Sequence, residues 1–382
     1  MRPRRSSRRG EILPGFRPPP RLHTAHDGAI LGTMFRIAPG DLDEIVRLAS
    51  RDLETLRGAR LFITGGTGFF GKWLLAALDR AERALHLGLQ LTILSRDPGR
   101  FAADWPEVRD RSGWRLFEGQ VAQLPVLLER FTCVLHLAAD APAQASKAAE
   151  AERSHAIVEG TKRVLELARA SRARRVLFVS SGAVYGAASG RREGAGEDDF
   201  RRAKAVMPYG EAKRAAEEAC RRAKVDTVIA RAFAFLGPHL PLDANYAAGN
   251  FIGDALRGGP IEVRGDGTAL RSYLYSTDLV VWLLAILARG ERRSAYNVGS
   301  DEVVTTADLA RAIAAETGQA TRVEVQSRLP PGPQNIYLPN LARARNELGL
   351  HVNVPLRAAI QRTLAFHRHS SSGQQGALPA PP

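Results

Sequence analysis

Tyr209 and Lys213 stand four residues apart in MPYGEAKRAAEEACRRA, a stretch with a helical pattern, so they share one face a single turn apart. Together they suit proton transfer. A Lys ammonium near a phenol favours the phenolate and lowers the Tyr pKa from about 10, giving a proton acceptor usable near neutral pH. A hydroxyl for the same site comes from Ser181, which directly follows the buried-strand pattern RVLFVS (Arg175 to Ser180). The plainer readings are a turn or cap serine for Ser181 and a solvated helix face for the Tyr/Lys pair.

A place for an anion precedes these groups. In RLFITGGTGFFGKWLL an apolar strand ending at Thr64 runs into Gly65, Gly68 and Gly71 and then into a helical apolar pattern. Such glycines allow a tight turn, close approach of backbone N–H groups to a pyrophosphate and close packing of helix on sheet. The new helix then points its positive end at the anion. In an open parallel sheet the carboxyl ends of the strands line one crevice, so Ser181 is expected to face the glycine turn.

With these motifs in this order, the chain resembles the extended short-chain dehydrogenase/reductases, whose best-known members are sugar-nucleotide epimerases, dehydratases and reductases. The resemblance runs from about Leu56 to Phe366. Its parts are TGGTGFFG (Thr64 to Gly71), HLAAD (His136 to Asp140), SSGAVYG (Ser180 to Gly186) and YGEAK (Tyr209 to Lys213). Further on come RAFAFLGP (Arg231 to Pro238), GNFIGDAL (Gly249 to Leu256), GDGTALRSYLYSTDL (Gly265 to Leu279) and YNVG (Tyr296 to Gly299).

The resemblance implies hydride transfer between a nicotinamide cofactor and a sugar carbon bearing OH or C=O. Tyr209 would exchange the hydroxyl proton, Lys213 would hold the cofactor ribose and lower the Tyr209 pKa, and Ser181 would hydrogen-bond the developing alkoxide. Cofactor contacts are implied for Gly65, Thr67, Gly68, Phe69, Phe70, Gly71, Ser95, Arg96, Gln120, Val121, Ala138 and Ala139, besides Tyr209 and Lys213. Asn250 and Arg271 are candidates for the substrate diphosphate, with a helix cap and an exposed salt bridge as their structural alternatives. No metal ligand set is expected.

Departures from the family narrow the chemistry. Ser95 and Arg96 in QLTILSRD stand where an NAD-specific member presents an acid to the adenosine ribose. Arg96 can instead bind a 2′-phosphate, so NADP(H) is favoured and NAD(H) possible, with a register shift to Asp97 as the counter-reading. Gln120 replaces a common Asp near the adenine, Ala234 an Asn that meets the diphosphate, and His155 a common helix Asn. Gly182 and Ala183 occupy positions where dehydratases carry an acid and a base, which disfavours a 4,6-dehydratase. The expected function is a sugar-nucleotide epimerase. The alternatives are an NADPH-dependent 4-ketoreductase of a nucleotide-activated deoxysugar and, in another class, a non-catalytic nucleotide-sensing protein. The sugar, the nucleotide and the pathway are not readable.

The elements that must position these groups read as α/β: a Rossmann-type doubly wound parallel sheet with a smaller C-terminal substrate-binding lobe. Strands are expected near 60–64, 89–94, 114–118, 132–138, 175–180 and 225–231. Residues 1–40 read as a disordered basic, Pro-rich tail, 41–231 as the cofactor domain with an N-terminal helix, 232–366 as the lobe, with a strand returning near 296–299, and 367–382 as a second tail. The N-terminal helix shows in Leu42, Ile45, Val46, Leu48, Leu53 and Leu56. Met34 is an alternative start, which leaves open whether residues 1–33 belong to the natural protein.

Composition is consistent with an enzyme of this class. The 382 residues are 45% hydrophobic and carry a net charge of +14. Residues 1–40 hold eight Arg against Glu11 and Asp27, and the whole chain uses six Lys and 48 Arg, which reflects coding bias as much as phosphate binding. A nucleic-acid role is therefore not expected, although a positive surface attracts anionic nucleotide sugars. No apolar run is long enough to span a bilayer and two cysteines make no disulfide framework, so a cytoplasmic enzyme without a membrane partner is expected. A homodimer is implied by the resemblance, through helices at about 148–171 and 208–223.

Overall fold

The computed structural model describes residues 34–127, 129–138, 147–189, 191–201, 207–244, 246–318, 320–326 and 335–374. Apolar runs form the strands β1 (Arg60–Thr64), β2 (Gln90–Ser95), β3 (Trp114–Glu118), β4 (Cys133–His136), β5 (Arg175–Ser181), β6 (Thr227–Ala232) and β7 (Ala295–Val298). They make one sheet in the order β7-β6-β5-β4-β1-β2-β3, every pair parallel. This is a Rossmann-like, doubly wound sheet with its switch point between β1 and β4.

Both faces are covered, which is why the strands read as near-continuous apolar runs. Alternate residues serve opposite layers. Leu61 and Ile63 of β1 join the core beneath α1 (Pro39–Leu48), α2 (Ser50–Glu54), α3 (Phe69–Leu85) and α8 (Ser276–Arg289). Phe62 between them points to the other side, against Val164 and Leu167 of α5 (Lys147–Ala170). Alongside α5 lies α6 (Pro208–Arg222), whose Ala212, Ala216 and Cys220 pack on Phe178 and Ile229. The short α4 (Pro98–Asp104) follows β2.

The smaller lobe is built from α7 (Ala247–Arg257), α9 (Thr306–Ala315), α10 (Ala342–Leu348), α11 (Leu356–Gln374) and short strand pairs. One of these small sheets matters for the site. In it Leu270–Ser272 lies between Val303–Thr305, antiparallel to it, and Ile336–Tyr337, parallel to it, and Tyr337 is in register with Arg271.

The tail boundaries differ from the sequence expectation at both ends. Residues 34–40 belong to the folded body: Met34, Phe35 and Ile37 are buried, and Phe35 packs on Trp105 with ring centroids 5.1 Å apart. No periodicity announced this, because Phe35 and Arg36 adopt positive φ in a single 3-10 turn. The Phe35 carbonyl is held by His239 Nε2 at 2.7 Å and its N–H donates to Glu107 Oε1 at 3.1 Å. Farther along, Asp41 is buried and accepts from Tyr275 Oη at 2.6 Å and Arg362 Nη1 at 2.7 Å, tying α1 to the N-cap of α8 and to α11. At the other end α11 continues past Phe366. Among the described residues no helix is long and apolar enough to cross a membrane.

Candidate active site

The glycine turn at the end of β1 is closed against its neighbours. Gly65 has φ +71°, and a Cβ there would lie 2.6 Å from Ala138 N; a Cβ on Gly71 would collide with the backbone of Gly65 and Gly66. Both positions therefore need glycine for the fold itself. Gly68 differs: its nearest neighbour would be Gly65 O at an ordinary 3.4 Å, and it is the N-cap of α3, with no side chain capping the first turn. The backbone N–H groups at the start of α3 thus carry the donors a pyrophosphate needs. Thr67 sits in the turn, Phe69 and Phe70 open the helix, and Phe70 packs edge-on against Phe235 at 4.8 Å.

His136 anchors this turn from below. Its Nδ1 meets Thr64 Oγ1 at 2.7 Å and its Nε2 meets Thr161 Oγ1 at 3.2 Å, while Thr64 Oγ1 also accepts from Ala138 N at 3.3 Å. Burial, with the Lys213 charge adding to it, lowers the His136 pKa from 6.5 to about 3, so the ring is a neutral strut. Ala138 lines the turn; Ala139 lies outside the described residues.

At the adjacent ends of β2 and β3 the structure brings Ser95, Arg96, Gln120 and Val121 to the same edge of the sheet. Ser95 ends β2, is buried, and accepts from Asp97 N at 3.2 Å through Oγ. Asp97 is the N-cap of α4, its Oδ1 accepting from Arg100 N at 2.8 Å, so this carboxylate is engaged by a helix. Arg96 is exposed between them. Gln120 is also exposed, and Val121 packs over Gly160 of α5.

The three catalytic candidates come together where β5 and α6 meet. Ser180 and Ser181 have separate fates. Ser180 Oγ donates to Glu217 Oε1 at 2.6 Å in a buried network with Arg231, whereas Ser181 Oγ turns back to accept from Ala183 N at 3.1 Å. Lys213 is buried and donates from Nζ to the Val179 carbonyl at 2.9 Å; burial lowers its pKa from 10.5 to about 8, against the pull of Glu217.

Tyr209 departs from the expectation of a depressed pKa. Burial raises it above 10, the nearby phenols of Tyr337 and Tyr246 raise it further, and a hydrogen bond with Ser181 opposes them. The physical reason is distance and direction. Lys213 Nζ is 6.0 Å from the Tyr209 ring centroid and only 4.8 Å from that of Phe178, with its charge turned to Val179. Tyr209 is accordingly protonated at neutral pH in this state of the protein.

The lobe supplies the rest. Arg271 is not in an exposed salt bridge: its Nη1 donates to the carbonyls of Leu270 at 2.8 Å and Asn335 at 3.0 Å, and Nη2 to Asn335 Oδ1 at 3.2 Å. Among the described residues no carboxylate pairs with it, and its guanidinium lies 5.6 Å from the Tyr337 ring centroid. Asn250 is not a helix cap either; Tyr246 caps α7 and Asn250 lies one turn inside, half-buried.

Three residues that sequence reasoning passed over complete the site: Tyr337, Phe233 and Tyr246. A Cβ on Gly182 would lie 2.7 Å from Tyr337 Oη and 2.8 Å from the Phe233 ring, and those two rings pack at 4.8 Å. The space beside Ser181 that a residue-182 side chain would use is thus filled by a phenol from another element. Phe233 lay inside a quoted motif; NIYLP around Tyr337 carries no spacing signal.

Residues 61–299 match the model of the NAD-dependent epimerase/dehydratase family. Among curated proteins, UDP-glucuronic acid decarboxylase 2 of Arabidopsis thaliana is 26% identical, over 84% of this chain and 70% of its own. Among solved structures, an epimerase from Methanothermobacter thermautotrophicus superposes with a TM-score of 0.73 at 22% identity, covering 87% of this chain and 98% of its own. MoeE5, solved in complex with UDP-glucuronic acid and NAD, is 26% identical with a TM-score of 0.68, covering 81% and 99%.

Proposed function

The chain belongs to the NAD-dependent epimerase/dehydratase family, and we propose that it is an NAD(P)-dependent epimerase of a nucleotide sugar. Bound NAD(P) would supply the hydride acceptor and, in the return step, the donor. Tyr209 takes the proton of the sugar hydroxyl as the carbon loses hydride, and returns it when hydride comes back to the other face of the ketone. Lys213 of α6, buried against the Val179 carbonyl of β5, holds a positive charge beside this exchange, and Ser181 donates to the sugar oxygen as it gains negative charge.

One observation carries the choice of reaction. Beside an assembled Ser181, Tyr209 and Lys213, position 182 has no room for a side chain and Ala183 offers no ionisable group. Elimination of water next to the ketone needs an acid and a base placed there; epimerisation does not. Arg271, with its charge free of any carboxylate among the described residues, is our candidate for the diphosphate, and Asn250 a second contact.

A second reading has its own support. Asp97 is occupied as the α4 cap, which leaves Arg96 as the charged residue offered to the adenosine ribose and favours NADP(H). That fits a ketoreductase using NADPH once per turnover. The nicotinamide cofactor retained by freshly purified protein, identified by mass spectrometry, separates the readings. Near-stoichiometric cofactor together with interconversion of UDP-glucose and UDP-galactose, or another epimer pair, by NMR supports the epimerase. Empty protein that binds NADPH reversibly and reduces a 4-keto sugar nucleotide supports the ketoreductase, and protein that binds neither cofactor points to a non-catalytic role. We also place a homodimer on α5 and α6.

A further inference from the structure

Among the described residues six that are not glycine carry a positive φ, and three of them sit at one contact: Phe35 (φ 56°), Arg36 (φ 53°) and His239 (φ 68°). His86, by contrast, is the left-handed cap of α3, an ordinary place for that conformation. The other partner of the contact stands in a seat meant for glycine. Leu240 N donates to the Gly237 carbonyl at 3.1 Å, closing a turn with Pro238 second and His239 third, where a positive φ normally goes with glycine or asparagine. Such a conformation costs free energy at each residue and persists where the surroundings fix it.

What fixes it is the approach of His239 to Phe35. His239 Nε2 donates to the Phe35 carbonyl at 2.7 Å, while the Phe35 N–H donates to Glu107 Oε1 at 3.1 Å. The peptide groups of one residue thus bond the segment leading into the lobe on one side and the segment after α4 on the other. The rings repeat this arrangement. Phe35 is fully buried, its ring centroid 5.1 Å from that of Trp105, 5.9 Å from Phe101 and 6.3 Å from His239. His239 packs in turn on Trp105 at 5.3 Å and on Phe366 at 4.7 Å.

The elements that converge here frame the crevice. Phe101 and Trp105 stand at the end of α4, the helix that starts beside Arg96. Lys72 stands in the first turn of α3, the helix that starts at the glycine turn, and its Nζ lies 4.9 Å from the centre of the Trp105 ring. The segment into the lobe follows the same helix: Phe70 packs on Phe235 at 4.8 Å and Trp73 Nε1 donates to the Pro238 carbonyl at 2.9 Å.

We propose that Phe35 is a positioning residue: it clasps His239 to Trp105 and Glu107, and so holds the first turns of α3, the end of α4 and the segment into the lobe in one arrangement beside the cofactor crevice. Removing the clasp loosens all three together and lets the cofactor leave faster, although Phe35 lies behind the helices and not in the crevice they open on. The coupling is a property of the fold; its effect on the cofactor rests on the reading of the chain as an NAD(P)-dependent enzyme.

Hydrogen exchange followed by mass spectrometry on the full chain, with no ligand present, tests the coupling. Phe35→Gly removes the ring and keeps a residue at ease at φ 56°. Peptides covering 69–76, 98–107 and 235–240 should then all exchange about tenfold faster or more. Leu53→Ala is the control, because Leu53 is buried in α2 away from the clasp; it should lower the unfolding midpoint without loosening these three peptides together. The coupling is overturned if Phe35→Gly loosens only residues 34–40, or if Leu53→Ala gives the same pattern. Should Phe35→Gly not fold, Glu107→Ala cuts one of the two bonds to Phe35 and should loosen the same three peptides to a smaller extent, and no change in them overturns the coupling. Release of NADPH or NADH, chased with excess oxidised nucleotide and followed by stopped-flow fluorescence, should be about fivefold faster or more in Phe35→Gly and unchanged in Leu53→Ala. An unchanged rate in Phe35→Gly overturns the effect on the cofactor. Protein that binds neither nucleotide refutes the NAD(P)-dependent reading and that effect with it, while exchange still decides the clasp.

Discussion

Lys213 reaches back from α6 to the last residues of strand β5 and donates to the Val179 carbonyl at 2.9 Å, which holds its ammonium 6.0 Å from the centre of the Tyr209 ring one helical turn away. The pair is assembled but not yet coupled. Burial dominates at Tyr209 and keeps the phenol protonated, while burial also brings Lys213 down to about 8. A proton donor is therefore ready at neutral pH. A proton acceptor forms only when a further positive charge arrives in the crevice, and the oxidised nicotinamide ring is the group that would bring it.

Replacing Tyr209 by Phe removes the proton and little else, since the ring contacts with Ala212 and its neighbours in the α5/α6 core remain. Turnover should fall by about 10²–10⁴-fold, the range for a lost general acid–base group, while cofactor affinity changes less than about threefold. Product formation by NMR and cofactor binding by calorimetry provide the two numbers. Retained turnover would remove Tyr209 from the chemistry.

Acid should loosen the fold through two histidines that are buried as neutral rings. Burial lowers His136 and His239 each from 6.5 to about 3. Between those values the unfolded chain binds a proton that the folded chain refuses, so stability falls as pH drops below about 6.5 and the loss is complete near pH 3. At pH 5 the penalty is about 2 kcal/mol for each ring. His239→Gln keeps a donor for the Phe35 carbonyl. Its unfolding midpoint should therefore drop less than that of the wild type between pH 7 and pH 5, and equal drops would show that His239 titrates normally.

Local pattern made the glycine turn, the Ser181 strand end and the Tyr209/Lys213 face readable, because each depends on residues within a few positions of one another. The parallel sheet followed from apolar runs alternating with helical periods. What stayed hidden depends on tertiary approach. Tyr337 arrives on a strand of two residues whose position is set by pairing with Leu270–Ser272, and NIYLP alone says nothing of that. The direction of the Tyr209 shift likewise hangs on burial by segments distant in sequence, with the phenols of Tyr337 and Tyr246 adding to it. Burial of Phe35 escaped notice because its surroundings in sequence are Pro- and Arg-rich and its φ is positive.

Cofactor preference should respond to Arg96. With Asp97 engaged by the Arg100 N–H, no acidic side chain next to Ser95 competes for the adenosine ribose. Arg96→Ala should raise the dissociation constant for NADP+ by about tenfold or more and leave that for NAD+ within about twofold, as expected for loss of a charge-assisted phosphate contact. Isothermal titration calorimetry with the two oxidised cofactors measures both. Equal losses for the two would assign Arg96 to the general field of the crevice, and no loss would return it to solvent.

The outer faces of α5 and α6 lie beside each other and leave between them a groove of about 270 Å³ lined by Leu165, Ala219, Ala223 and Val225 together with Lys162, Glu166, Arg169, Arg222 and Lys224. Apolar side chains on such a face suit a two-fold contact, in which each copy offers the same surface. Light scattering at micromolar concentration should give twice the 41.5 kDa of one chain. Ala219→Arg places a charge in the groove while leaving the buried Ala212, Ala216 and Cys220 row of α6 intact. It should yield a monomer with an unfolding midpoint close to that of the wild-type subunit. A wild-type monomer would put this face in solvent, and a dimer that survives Ala219→Arg would move the two-fold axis elsewhere.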